Sequence, residues 1–150
     1  MENAVLDNAV LPTIRLYWKS PFRFDKEADG WKLRKKGPDI DRGDILRFDP
    51  FLEEGELQVL GNIMTERARK LGDTVGQHHA ERLLEQQINI PDELRPYILV
   101  FVDTVWEHGD KQIISYLSWS SELMGWTLNF ACVESEFFNN CLVSRLDRQN

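Results

Sequence analysis

The stretch GQHHAERLLE, Gly76 to Glu85, comes closest to a chemical site: two adjacent histidines, then two glutamates within two turns. Imidazole nitrogens and carboxylate oxygens bind zinc and serve as general acids and bases. Which role is open to them depends on the element that carries them. The spacing predicts a helix from a cap at Asp73 to about Ile88, stopped by Ile90-Pro91. Val75, His79 and Leu83 then share one stripe, with Ala80, Leu84 and Ile88 beside it, so His79 faces the core. His78, Glu81, Arg82 and Glu85 fall on the opposite, polar side. Adjacent helical side chains diverge by about 100°, which prevents both histidines from chelating one ion. His78 is therefore expected in solvent and His79 at the core edge, bonded to an acceptor. Neither a metal nor a cofactor is assigned.

The remaining candidates are scattered. Tyr97–Glu107 and Lys111–Trp119 read as strands joined at HGDK, where Gly109-Asp110 suits a two-residue hairpin turn. That loop sets Trp106 against Ile113, Thr104 against Ser115, Val102 against Leu117 and Val100 against Trp119 on an apolar face. On the other face, Asp103 lies opposite Tyr116 and Phe101 opposite Ser118. An Asp103–Tyr116 pair could exchange a proton or make an ordinary cross-strand hydrogen bond. His108 sits at the turn, where exposed polar side chains are usual. The chain has no HExxH, GxSxG, P-loop, dinucleotide fingerprint or cysteine cluster. The weak catalytic candidates are thus His79, Asp103, Tyr116 and His108. Trp18 and Trp31, on the irregular N-terminal part, are the candidates for contacting a partner.

Two further strands are expected at Gly125–Val133 and Cys141–Leu146, completing a meander, with short N-terminal strands at Thr13–Trp18, Trp31–Lys35 and Asp44–Phe48. Asp49-Pro50 and the acids behind it predict a first helix through Leu57, Leu60, Met64, Ala68 and Leu71, ended by Gly72. The expected fold is one α+β domain over 1–150: a C-terminal antiparallel meander of three or four strands packed on its apolar face against two central helices. The segment 1–12 is set apart as a flexible extension.

Composition bounds the function classes. At 150 residues, 42% hydrophobic and 29% charged, the chain has the makings of one globular core. Its longest apolar run, Tyr97–Val102, is far short of a membrane span. The acidic N-terminus is unlike a signal peptide, and two ordinary thiols, Cys132 and Cys141, fit a cytoplasmic protein. Residues 1–47 hold ten Lys and Arg against eight Asp and Glu, whereas 48–150 hold eight against seventeen. So acidic a body argues against double-stranded DNA and is compatible with a basic protein partner. The leading expectation is a non-catalytic adaptor or inhibitor that presents a sheet edge and aromatics to a protein. A small enzyme or ligand-binding protein with a cleft at the helix–sheet junction stands second. Homodimerisation through an edge or helix face is compatible with both.

Overall fold

The computed structural model describes residues 11–16, 22–41 and 43–148. Among them the chain is mostly β, which overturns the expected meander on a pair of helices. Seven strands form one mixed, curled sheet: β1 (Ile14–Arg15), β2 (Lys32–Lys35), β3 (Ile45–Asp49), β5 (Ile98–His108), β6 (Lys111–Ser120), β7 (Gly125–Cys132) and β9 (Cys141–Leu146). A separate ribbon pairs β4 (Gln58–Leu60) with β8 (Glu136–Phe138). The two helices are α1 (Gly61–Leu71) and α2 (Gln77–Glu85). The expectation for residues 1–12 concerns positions nearly all outside the described range, and Trp18 lies outside it too.

The hairpin β5–β6 organises the sheet. Gly109, at φ 63°, makes the tight turn, and His108↔Lys111, Glu107↔Gln112 and Trp106↔Ile113 follow in the register the loop dictates. The register then breaks. Beyond the break Phe101 lies opposite Ser115, Val100 opposite Tyr116 and Leu99 opposite Leu117, so β5 carries three extra residues between its two paired halves. The odd shift exchanges faces, which is why the pairings expected for Thr104, Asp103, Val102, Phe101 and Val100 do not form.

The break is a docking point. Because β6 pairs with both halves of β5, the other edge of β5 is shared: β9 runs parallel to Ile98–Val100, and β2 runs antiparallel to Val105–Glu107. The backbone leading into α2 fills the interval, with the Asp103 amide donating to Val75 O at 3.0 Å. Thr104 Oγ1 accepts from the Gln77 amide at 2.7 Å and donates to Lys36 O at 2.6 Å. Cys141–Leu146 is a strand as expected, but it leaves the meander and lies between β5 and β3.

The helices cover opposite faces of the sheet. Ala80 and Leu83 of α2 pack with Leu99, Phe101, Leu117 and Leu142. Met64 and Ala68 of α1 pack with Val100, Val102, Ile114 and Val143. With both faces covered, the first half of β5, residues 98–102, reads as an unbroken apolar run, and each fully buried Leu or Phe contributes about 1.5–3 kcal/mol. Helix α1 starts eleven residues later than the caps at Asp49-Pro50 suggest. Gly55 turns the chain at φ 85°, and Val59 enters the ribbon opposite Phe137. Gly61 begins the helix where a side chain would meet Val133 O at 2.6 Å. At the other end, Arg145 donates to Leu71 O and Gly72 O at 2.6 and 2.7 Å, satisfying carbonyls the helix leaves open.

Candidate functional site

Helix α2 is nearly all interior, although six of its nine residues are polar. From Gln77 to Leu83 every position is buried. His78 is no exception: its ring stacks on Phe22 at 4.0 Å and 17°, which corrects the solvated role its helical phase predicts. The reason is a second layer, since residues 22–24 lie across the helix's outer side. Glu81 accepts hydrogen bonds from the Arg23 and Phe24 amides at 2.7 and 2.8 Å and from Gln77 Nε2 at 2.9 Å. Gln77 also donates to Phe24 O and accepts from Trp106 Nε1, both at 2.7 Å. A buried carboxylate with three donors and a buried amide with both ends engaged form a clasp between strap, helix and sheet. Its geometry is structural.

His79 is fully buried on the core side, as its phase requires, with Nε2 3.1 Å from Asp44 Oδ2. Burial pushes its pKa below the ordinary histidine value, and the Asp44 carboxylate opposes that only in part. The imidazole is thus neutral and donates to Asp44, which also accepts from the Asp41 amide at 2.9 Å. Asp44 lines an open pocket of about 260 Å³ with Gly43, Ile45, Leu146, Asp147 and Arg148. A base-orienting pair beside a pocket is chemically meaningful, but here the histidine is fully buried and the Asp44 side chain is itself only 13% exposed.

The other candidates do not join it. Asp103, at the break in β5, pairs with Lys35 at 3.2 Å. Tyr116 lies opposite Val100 and packs with the α1-side cluster. His108 adjoins Trp31, with ring centres 5.7 Å apart. Among the described residues no three His, Cys, Asp or Glu side chains converge in a way that could hold a metal ion. Cys132 and Cys141 are free thiols.

Trp31 is half-buried rather than displayed. Its ring meets Phe130 edge to face at 5.5 Å and 86°, and Lys26 Nζ lies 4.7 Å from the Trp31 centroid and 5.2 Å from that of Phe130. The one-turn helix Lys26–Asp29, capped by the Asp25 side chain and closed by Gly30 at φ 87°, positions the lysine there.

One feature escapes the periodicity altogether, the outer side of the β4–β8 ribbon. Val59 and Phe137 face each other inward, so the alternation turns Gln58, Leu60, Glu136 and Phe138 outward. Leu60 is 43% and Phe138 48% exposed, with Ile63 at 38% one turn into α1 and Leu57 at 71% just before the ribbon. Leu57, Leu60 and Met64 mimic helical spacing. The signals that could have found the ribbon are Gly55 and Gly61 bracketing a β-branched valine, and the adjacent pair Phe137-Phe138. No family model matches the chain, and comparison with curated proteins and with solved structures returned no match. No helix among the described residues is long and apolar enough to cross a membrane.

Proposed function

We propose that this chain is a non-catalytic protein-interaction module, an adaptor or inhibitor, whose contact surface is the outer side of the β4–β8 ribbon. The observation that carries this reading is the cluster Leu57, Leu60, Ile63 and Phe138, large apolar side chains left outside a core that had room for their neighbours Val59, Met64 and Phe137. Clustered exposure of this kind on a well-packed protein marks a contact surface. Carboxylates rim it: Glu136 is the cross-strand partner of Leu60, and Glu53, Glu54, Glu66 and Glu134 are exposed on the adjoining segments. Two nearby cations are already committed, Arg67 to Glu56 at 2.6 Å and Lys111 to Glu134 at 2.5 Å. Apolar anchors inside an acidic rim suit a partner segment that is apolar on one side and basic around it. A photo-crosslinking amino acid at position 60 tests this in host lysate. It is expected to trap one defined protein through a lysine- or arginine-rich peptide. Products no different from those of a crosslinker placed at Ile88 would contradict it.

The His79–Asp44 pair favours a second reading, a ligand-binding protein with its site at Asp44, Asp147 and Arg148. A stabilisation of wild type by small polar metabolites that Asp44→Asn abolishes would support it, and no stabilisation across such a panel would remove it.

A further inference from the structure

We propose that Trp31, Phe130 and His108, with Asp29 beside them, form a cage for an alkylammonium group, held closed in this structure by the chain's own Lys26. The two principal walls stand at right angles, 86° apart with centres 5.5 Å from each other, and His108 adds a third ring beside Trp31. The ammonium of Lys26 lies within about 5 Å of both principal centroids, a separation at which the negative ring faces attract a cation. Asp29 supplies the countercharge, its Oδ2 2.5 Å from Nζ. The lysine side chain is only 23% exposed, unusually covered for this residue type.

Two walls belong to the sheet, while Trp31 is tied to the plug's own turn, its amide donating to Lys26 O at 3.1 Å. Phe130 stands on β7 and His108 ends β5, both in the sheet, and Trp31 leads into β2. Lys26 rides on a one-turn helix with no buried residue, so its side chain can swing out while its backbone keeps the bond to Trp31. A primary ammonium is strongly hydrated and gives up that hydration reluctantly. An alkylated ammonium is larger and more weakly hydrated, so the same walls hold it better, which is how aromatic cages select choline-like and methyl-lysine groups. The ligand class is therefore a quaternary or methylated ammonium, carried either by a small molecule or by a modified lysine of another protein. This inference does not depend on the ribbon.

The test uses the full chain with fluorine-labelled tryptophan, the Trp31 resonance assigned from Trp31→Phe. Wild type, Lys26→Ala and Lys26→Gln, each checked for native circular dichroism, are titrated with choline, with its neutral isostere 3,3-dimethylbutanol, and with a peptide bearing one trimethyllysine. Opening the cage is expected to tighten the saturable Trp31 response to an ammonium probe by roughly ten-fold over wild type, with Phe130→Leu in the same background reversing the gain. A response to choline alone assigns a small-molecule ligand, and tighter binding of the peptide assigns a modified side chain. If both Lys26 variants fold and neither ammonium probe gives a saturable response, or if dimethylbutanol binds equally well, the cage is refuted.

Discussion

Gly76 and Thr104 pack so closely that a β-carbon at Gly76 would lie 2.7 Å from the Thr104 amide nitrogen. The contact brings the start of α2 onto the break in β5, and through Lys36 O it ties in the end of β2 as well. Gly76 has an extended backbone, φ −127°, so its requirement for glycine is steric and not conformational. Gly76→Ala is expected to cost about 1–3 kcal/mol, the usual range for overpacking. Thr104→Val leaves a buried amide and a carbonyl without their partner and is expected to cost more, about 1–3 kcal/mol for each of the two groups. Urea unfolding of both variants at pH 7 measures this. An unchanged midpoint for Gly76→Ala would show that the contact is not tight.

His79 gives stability a pH dependence. Its folded pKa is depressed by burial, while the unfolded chain titrates near the ordinary value of 6.5. Below that value the unfolded state takes up a proton that the folded state resists, so its contribution is complete above pH 6.5 and is lost as pH falls toward the lower folded pKa. The urea midpoint of wild type is expected to fall between pH 7.5 and 5.5, and that of His79→Gln to fall less. Equal slopes for the two proteins would mean that the imidazole is not held neutral.

Glu56 and Arg67 join the loop before β4 to α1, and the guanidinium also donates to Phe51 O at 3.1 Å. The hydrogen bonds from Arg67 pull the Glu56 carboxyl down to about 2. The carboxylate is expected to titrate there by NMR and to return toward 4.5 in Arg67→Gln. An ordinary carboxylate value in wild type would place the two side chains apart in solution.

Much of this fold is legible in the residues, and the failures have physical causes. Near a tight turn, as at His108↔Lys111, loop geometry fixes the register. Four residues further along β5, Thr104 makes a tertiary contact that no local pattern encodes, and the odd bulge exchanges the faces. The phase of α2 places His79 correctly because an apolar stripe must reach the core. The same phase misplaces His78, since residues 22–24 cover the outer side and periodicity cannot see a second layer. Trp31 stands out by its type, but its setting with Lys26 and Phe130 joins segments about a hundred residues apart. The ribbon stayed hidden because Leu57, Leu60 and Met64 fall at helical spacing, and only the pairing of β4 with β8 shows that Leu60 belongs to a strand.

The two adjacent phenylalanines of β8 separate stability from binding. Phe137 is buried against α1, so Phe137→Ala is expected to cost about 3–5 kcal/mol. Phe138 faces outward at 48% exposure, and Phe138→Ser is expected to cost only about 1 kcal/mol. Denaturant unfolding of both variants checks the assignment. A large loss from Phe138→Ser would make that side chain part of the core and withdraw it from the proposed contact surface.

The most direct measurement compares tagged wild type with a Leu60→Ser, Phe138→Ser variant, recovered from host lysate at low and high salt and weighed as intact complexes. Wild type is expected to carry a stoichiometric basic partner, weakened by salt and absent from the folded variant. A mass of two copies lost in the same variant would assign the ribbon to self-association instead of a basic partner. Wild type emerging alone at low salt, or a partner retained by the variant, would contradict the ribbon as the binding surface.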